Sequence, residues 1–279
     1  MTTKTPIALC IFNRPHTTRR VFEAIRQAQP ETLFVIADGP RADADVILCK
    51  ETRAVIDVDW DCDFYTIYSQ HNKGVGRNYP DGLTRVFEMV GSVIALEDDV
   101  LPHPSFFPFV DAMIERYADD ERVGVISGSR NSAVDTPQTY TFERAVWHQG
   151  VAFWKRTWET YEPRCQSWGE SPTPRNILRQ RMRGAELEGY IAAVERAYHD
   201  PDNEAYDYKL SYAWTSRGQW GIVPKVNLVS NIGFGPGATH TPDANHPLAN
   251  RDTFDIGTPD TFIHPETVPD LVTYDPTLA

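Results

Sequence analysis

The first 127 residues alternate between short apolar runs and longer segments whose apolar residues recur at helical spacing. Residues 7–12 (IALCIF) form a continuous apolar run, which is typical of a strand buried on both faces of a parallel sheet. Val21, Ala24, Ile25 and Ala28 form the first helical stripe between them. The alternation predicts an α/β fold with a mostly parallel, doubly wound sheet flanked by helices. Strands are predicted at residues 7–12, 33–37, 64–68, 93–96 and 123–127.

Charge and composition exclude several classes of partner. The 279 residues carry a formal net charge of −12, which disfavours binding to nucleic acid or to an anionic membrane surface. The longest apolar runs are far too short for a transmembrane segment, and the N-terminus lacks a secretory signal pattern. The four cysteines show neither CxxC spacing nor a cysteine–histidine cluster. We therefore expect a cytoplasmic protein with reduced thiols, with room for peripheral association with the inner membrane.

The pattern changes after residue 130. Residues 147–168 hold four of the seven tryptophans, and Trp147 is the one that could stack on a sugar. Helices are predicted at about 176–199 and 204–217, and strand and turn at 222–232. The last 39 residues contain six prolines and are predicted to form an irregular tail.

Three adjacent acids, Glu97, Asp98 and Asp99, follow the fourth predicted strand. In open α/β sheets, ligands bind outside the carboxyl ends of the strands. Neighbouring carboxylates repel one another unless a cation offsets them, and a hard divalent ion such as Mg²⁺ or Mn²⁺ prefers oxygen ligands. An ion bridging a diphosphate would fit here. The alternative is a solvated turn in which Asp98 or Asp99 caps the next helix.

Two further strand ends carry candidate ligand-binding groups. Asp38 ends the second strand and could accept hydrogen bonds from a nucleoside, or simply form an Asp-Gly turn. Residues 71–78 (HNKGVGRN) join the third strand to a helix whose N-terminus favours an anion. Lys73 and Arg77 could add contacts to phosphate there, with Asn72 beside them. The alternative for this segment is a turn with exposed basic residues.

Two residues of the second half could take part in chemistry. Asp207 lies near the start of a predicted helix and could be a general base, or could merely stabilise the helix dipole. Glu204 is its nearest competitor. His240 follows a glycine-rich turn and could complete a metal site or contact phosphate, although a lone loop histidine is more often structural or exposed.

Taken together, these motifs resemble bacterial GT-A-type nucleotide-diphospho-sugar glycosyltransferases. Around the acidic triplet the chain is also similar to the Golgi N-acetylglucosaminyltransferase that starts complex N-glycans. The resemblance spans most of residues 7–241. It is carried by residues 10–15 (CIFNRP), 38–41 (DGPR), 96–100 (LEDDV) followed by Phe106-Phe107, 223–235 (VPKVNLVSNIGFG) and 238–241 (ATHT).

The resemblance implies a division of the chain and a set of roles. Residues 1–130 would bind the nucleotide-sugar, residues 131–241 would form the acceptor-binding and catalytic half, rich in aromatic residues, and residues 242–279 would form the tail. A UDP-linked donor and Mn²⁺ or Mg²⁺ are implied. The implied ligands are Asp99, Asp98 and His240 for the metal, and Asn13, Arg14, Asp38, Asn72, Arg77, Glu97 and Asp98 for the donor. The triplet reads Glu-Asp-Asp where the family has Asp-X-Asp, so either aspartate could be the direct metal ligand.

The expected reaction transfers a hexosyl or N-acetylhexosaminyl group from the donor to an acceptor hydroxyl on a glycan or another molecule. Asp207 would take the acceptor proton, and the anomeric configuration would invert, since no second nucleophile is evident. One rival is a sugar-nucleotide nucleotidyltransferase, which would need a glycine-rich loop where this chain has Asn13-Arg14-Pro15. The other is a non-catalytic sugar-nucleotide-binding subunit.

Overall fold

The fold is built on one large mixed sheet, seen in a computed structural model that describes residues 2–130, 135–200, 206–235 and 243–278. Within these residues the sheet has eight strands, and two further short strands pair separately. The main-sheet strands are β1 (Ile7–Ile11), β2 (Thr32–Ala37), β3 (Asp63–Tyr68), β4 (Ser92–Glu97), β6 (Val123–Ser127), β7 (Tyr140–Glu143), β8 (Val151–Trp154) and β9 (Trp220–Pro224). The separate pair is β5 (Val100–Pro102) with β10 (Val229–Asn231).

Helices cover both faces of the sheet. Pro15 opens the first helix, where its fixed φ suits the first helical position. The described helices are α1 (Pro15–Ala28), α2 (Asp43–Ala54), α3 (Val75–Phe87), α4 (Phe106–Arg116), α5 (Lys155–Trp158), α6 (Ser167–Glu170), α7 (Thr173–Arg181), α8 (Gly184–His199) and α9 (Tyr206–Thr215). None of them is long and apolar enough to span a bilayer.

The strand order is β3-β2-β1-β4-β8-β6-β9-β7. Strands β3, β2, β1, β4, β6 and β9 run in one direction, whereas β8 is antiparallel to both β4 and β6, and β7 is antiparallel to β9. The predicted α/β class with a mostly parallel sheet is therefore confirmed. The carboxyl ends of β2, β1, β4, β6 and β9 meet at one edge, and the start of β8 lies at the same edge.

Side chains of each strand alternate between two apolar layers. In β1, Ile7, Leu9 and Ile11 face one layer, and Ala8 faces the other. The first layer contains α1 and α4, and the second contains α3, α5 and α9. Because β1 is buried on both sides, its sequence is apolar at every position, which is the pattern that predicted it.

The predicted single helix over residues 176–199 is wrong. The chain forms α7 and α8 instead, separated by an extended Met182 and Arg183, and α8 begins at Gly184, whose φ is 55°. A left-handed backbone at Gly184 costs little because glycine has no Cβ, so the helix can be interrupted there. Strand and turn predicted at 222–232 correspond to β9 and β10.

The C-terminal segment is irregular, as predicted, with two 3₁₀ turns at Pro259–Thr261 and Pro276–Leu278. Ile256 and Phe262 are buried against the α4 side of the sheet, and His264 Nδ1 lies 2.9 Å from the Tyr140 hydroxyl. The segment therefore packs over the body of the protein. All four cysteines are free thiols.

Candidate active site

The acidic triplet lies at the centre of the carboxyl edge, where β4 ends and β5 begins. Asp98 is only 8% exposed, and its Oδ2 accepts a hydrogen bond of 3.3 Å from the Phe12 amide. Arg14, in the turn between β1 and α1, places Nη1 at 2.7 Å from Asp99 Oδ2 and at 4.0 Å from Asp98 Oδ1. Because β1 and β4 are neighbours in the sheet, the turn after β1 reaches these acids directly.

Burial and mutual repulsion disfavour the charged forms of the three carboxyl groups in the triplet. Burial, and then the charge of Asp99, raises the pKa of Glu97 and of Asp98. Burial also raises the pKa of Asp99, whereas Arg14 lowers it. Tyr206 hydrogen-bonds to Glu97 and lowers the pKa of that carboxyl. In the described part of the chain, Arg14 is the one cation that ion-pairs with the triplet.

The donor set fits a hard divalent cation bound together with a phosphate. Mg²⁺ is usually held by one or two carboxylates plus substrate phosphates rather than by a complete protein cage. Asp98 and Asp99 supply such carboxylates, and their repulsion would be relieved by an ion. Among the described residues, no three histidine, cysteine, aspartate or glutamate side chains converge as a metal centre. His240, the third predicted ligand, lies outside the described residues.

The β5–β10 pair brings a glycine against Asp99. The Ile232 amide donates to the Asp99 carbonyl at 2.8 Å, so the chain passes over the triplet as it leaves β10. A Cβ added to Gly233 would overlap Asp99 Oδ2 and lie 2.6 Å from Asp99 Cβ. Only glycine leaves this carboxylate in its present place.

Asp38 is a hydrogen-bonding centre for the turn before α3. Its carboxylate accepts from the amides of Lys73 (2.9 Å) and Gly74 (2.9 Å) and from Asn72 Nδ2 (3.0 Å). Asn72 Nδ2 also donates to the Gly39 carbonyl. The structure thus brings Asp38 and Asn72 together, as the sequence predicted, but their side chains hold each other. Their contact with a nucleoside stays a prediction.

The predicted phosphate-binding residues of the same turn lie at the surface. Arg77 is exposed in the first turn of α3. Lys73 Nζ forms an ion pair of 2.8 Å with Asp81, one turn further along the helix. Their binding to phosphate also stays a prediction.

Asn13, a predicted donor-binding residue, belongs to a polar group whose other members, Arg41 and Asp45, were not predicted as site residues. Its Nδ2 donates to Asp45 Oδ1 at 2.7 Å, and the Arg41 guanidinium binds both oxygens of the same carboxylate. The hydrogen bonds from Arg41 lower the pKa of Asp45 to about 2. Arg41 also stacks over Phe12, with 5.0 Å from Cζ to the ring centroid. Asp45 gave no signal in the sequence, since an aspartate in a helix's first turn is common.

The first turn of α9 brings Asp207 to the acidic triplet. The Tyr206 ring packs on Tyr79 of α3 at 4.6 Å between centroids, and its hydroxyl bonds to Glu97. The charge of the partly exposed Asp207 acts on Glu97 and raises the pKa of that carboxyl. The Asp207 carboxylate accepts from the Tyr208 amide at 2.9 Å. The predicted base and the predicted metal site are therefore neighbours. Glu204, the competing base, lies outside the described residues.

His148, three residues before β8, is a further polar group on this side of the sheet. Its Nε2 lies 2.5 Å from Ser211 Oγ of α9, and its ring packs on Trp214 at 5.0 Å between centroids. Burial lowers the pKa of His148 to about 4, and the charge of Asp207 opposes this shift. The sequence indicated only that a polar stretch follows Trp147, because the partners of His148 come from a helix about 60 residues away.

Trp147, the predicted stacking residue, is half-buried. The Arg251 guanidinium lies over its ring, with 5.7 Å from Cζ to the centroid. Sugar stacking on this ring stays a prediction.

Comparisons with known proteins find similar solved structures but no matching family or curated sequence. Solved structures that match include TarS 1-349 of S. aureus in complex with UDP, at 10% identity and a TM-score of 0.38, covering 56% of this chain and 48% of that chain. The mannosyltransferase PcManGT from Pyrobaculum calidifontis in complex with GDP-Man and Mn²⁺ matches at 12% identity and a TM-score of 0.38, covering 77% and 74%.

A UDP-glucose pyrophosphorylase complexed with UDP-glucose matches at 11% identity and a TM-score of 0.33, covering 55% of this chain and 78% of that chain. The match to TarS spans about half of that protein's length. The neighbours thus include a mannosyltransferase and a pyrophosphorylase. At TM-scores below 0.4 the likeness does not decide between their reactions, so the function has to be argued from the side chains of the site.

Proposed function

We propose that this protein is a metal-dependent glycosyltransferase that moves a sugar from a nucleotide-diphosphate donor, UDP-linked as the resemblance implies, to an acceptor hydroxyl. One observation carries the proposal. An acidic triplet whose three carboxyl pKa values are raised lies at the carboxyl edge of the sheet, with Asp98 buried, and the charge of a further carboxylate, Asp207 of α9, acts on Glu97. A diphosphate bound through a cation and an acceptor activated by a base need these two groups side by side.

In the donor half, Asp98 and Asp99 would hold Mg²⁺ or Mn²⁺. When bound, the ion neutralises the charge that develops on the leaving diphosphate. Arg14, already beside both aspartates, offers charge-assisted hydrogen bonds to the same phosphates. Asn13 and the polar group around Asp45 lie one strand further along the edge, where a nucleoside would extend. His240 is proposed as a third metal ligand.

In the acceptor half, Asp207 would take the proton of the attacking hydroxyl. Its partial exposure leaves it accessible to an acceptor, and its place beside Glu97 puts it next to the donor site. Holding both substrates in line supplies much of the rate acceleration. Because Asp207 is a candidate base and the sequence shows no evident second nucleophile, we propose that the anomeric configuration inverts.

The proposal is tested with donor binding and transfer measured on the same variants. A donor present at about 100 times its Kd should stabilise the protein by about 2.7 kcal/mol, which raises the melting temperature by several degrees. We expect this rise with one nucleotide-sugar and Mn²⁺, a smaller rise without the metal, and no metal dependence in Asp99→Ala. Glu88→Gln, an exposed acid in the turn after α3, is the matched control and should behave as the wild type.

Turnover then separates catalysis from binding. We expect Asp207→Asn to bind donor normally and to lose roughly 10²- to 10⁴-fold in kcat. NMR of the product should show an inverted anomeric centre, and a retained anomer would refute that assignment. Binding without any transfer or donor hydrolysis would favour the non-catalytic subunit. Release of pyrophosphate from a nucleoside triphosphate and a sugar 1-phosphate, without release of nucleoside diphosphate from a nucleotide-sugar, would favour the nucleotidyltransferase.

A further inference from the structure

His148 is held against α9 in a defined orientation. Its Nε2 is 2.5 Å from Ser211 Oγ, and its ring packs on Trp214, so the imidazole contacts two residues of the same helix. Trp214 is fully buried and Ser211 is 8% exposed, so both supports belong to the packed interior. A side chain fixed by two buried partners has little rotational freedom, and its second ring nitrogen therefore has a definite direction.

That second nitrogen, Nδ1, is buried and has no hydrogen-bond partner. A neutral imidazole carries one N–H donor and one acceptor nitrogen. If the Ser211 hydroxyl donates to Nε2, the proton of the ring is on Nδ1. A buried donor without an acceptor is unfavourable, which favours a partner that rotation of a nearby side chain brings within reach of Nδ1.

Asp207 is the group placed to be that partner. Asp207 and Ser211 are four residues apart in α9, so they lie on one face of the helix, one turn from each other. The imidazole that bonds to Ser211 is close enough to Asp207 for the carboxylate charge to act on it. Asp207 Oδ1 accepts from the Tyr208 amide, and no hydrogen bond to Oδ2 is present among the described residues. Glu97 of β4 and the Tyr206 hydroxyl also face this carboxylate.

We propose that His148 is a positioning residue that donates a hydrogen bond from Nδ1 to Asp207 and, together with Ser211, aims the carboxylate at the acceptor hydroxyl. This role rests on the proposed function, in which Asp207 is the base. The hydrogen bond from Ser211 fixes the tautomer of the His148 ring. The hydrogen bond from His148 Nδ1 then fixes the orientation of the Asp207 carboxylate. The three groups form a chain from the interior of α9 to its exposed first turn.

Two substitutions separate this role from simple packing. In His148→Asn the side-chain amide can replace the Nδ1 donor, whereas in His148→Gln it can replace only Nε2. We expect His148→Gln to lower kcat on the order of tenfold to a hundredfold with little change in the donor KM, because misorientation of a reacting group has that effect. His148→Asn should recover most of the loss. His199→Gln, at the exposed end of α8, is the control for loss of a histidine.

The pH profile gives a readout that packing alone would not move. A donor to a carboxylate stabilises its charged form, so losing the donor makes the carboxylate easier to protonate. The acid limb of kcat should therefore move to higher pH in His148→Gln and return in His148→Asn. Equal activities in the two variants, or an unmoved acid limb, would overturn the proposal.

A measurement without turnover keeps this test independent of the enzymatic assignment. Long-range ¹H–¹⁵N NMR of the histidine rings should show the Nδ1–H tautomer of His148 in the wild type. Its Nδ1 resonance should shift in Asp207→Ala and not in Glu88→Gln. An Nε2–H tautomer, or a resonance indifferent to Asp207, would refute the contact. If no donor supports transfer, the proposed function fails, and the NMR result still decides whether His148 and Asp207 interact.

Discussion

At the scale of single residues, the site depends on close packing as much as on charge. The Asp99 carboxylate lies between the Arg14 guanidinium on one side and the backbone of Gly233 on the other. The adjacency of the three acids predicted a metal site in the sequence, and the resemblance to glycosyltransferases predicted Arg14 as a donor-binding residue. Neither gave a physical reason for Gly233, because the need for glycine arises only when β10 crosses beside β5.

Gly233→Ala should therefore impair metal-dependent donor binding. The added methyl group would displace the Asp99 carboxylate from Arg14, and we expect a loss of roughly tenfold or more in Mn²⁺-dependent affinity for the donor, equal to about 1.4 kcal/mol. Titration calorimetry with Mn²⁺ and a nucleoside diphosphate measures this. Gly189→Ala, with open space around its Cβ in α8, is the control. Unchanged affinity in Gly233→Ala would show that Asp99 does not hold the ion.

At the scale of elements, the sequence predicted what local periodicity encodes and missed what depends on distant partners. Strands β1 to β4 and β6 are buried on both faces or lie beside such strands, and their apolar runs located them within one or two residues. Strands β7 and β8 were not predicted, because their antiparallel insertion between or beside other strands follows from no local pattern. The helix break before Gly184 was also missed, because a single glycine in a helical pattern is compatible with a continuous helix.

The turn between β3 and α3 gives a test at this scale. The Asp38 carboxylate accepts hydrogen bonds from three backbone amides and from Asn72, so Asp38→Ala leaves the three amides without this acceptor. We expect the free energy of unfolding to fall by about 1–3 kcal/mol, measured by urea denaturation. Asp81→Asn removes only the exposed ion pair with Lys73 and should change the free energy of unfolding by less than about 1 kcal/mol. Equal effects of the two variants would mean that Asp38 is not a structural centre.

At the scale of the whole molecule, the C-terminal segment is hydrogen-bonded to residues from several distant parts of the chain. Between residues 268 and 275 it is held mainly through its own backbone. Arg122 donates to the Val268 carbonyl, Trp220 Nε1 to that of Asp270 and Asn176 Nδ2 to that of Asp275, while the Val272 amide donates to the Gly218 carbonyl. The irregular tail that its prolines predicted is thus an ordered part of the molecule.

A chain that ends at residue 267 should be markedly less stable. It loses at least the four hydrogen bonds just described, each of which contributes about 1 kcal/mol, so we expect a loss on the order of a few kcal/mol. Differential scanning calorimetry measures the fall in melting temperature. A chain that ends at residue 275 keeps these bonds and should melt near the full-length protein. If the shorter chain melts at the same temperature, the segment is not part of the cooperative unit.

Anchoring through carbonyl and amide groups has an evolutionary consequence. Nearly any residue type presents the same backbone groups, so the side chains of residues 269–275 are under little selection as long as the donors Arg122, Asn176, Gln180 and Trp220 persist. Among descendants of a common ancestor, the tail should therefore drift quickly in sequence while its path over the protein is preserved. The constraint would instead preserve the four side-chain donors, which lie far upstream in the chain.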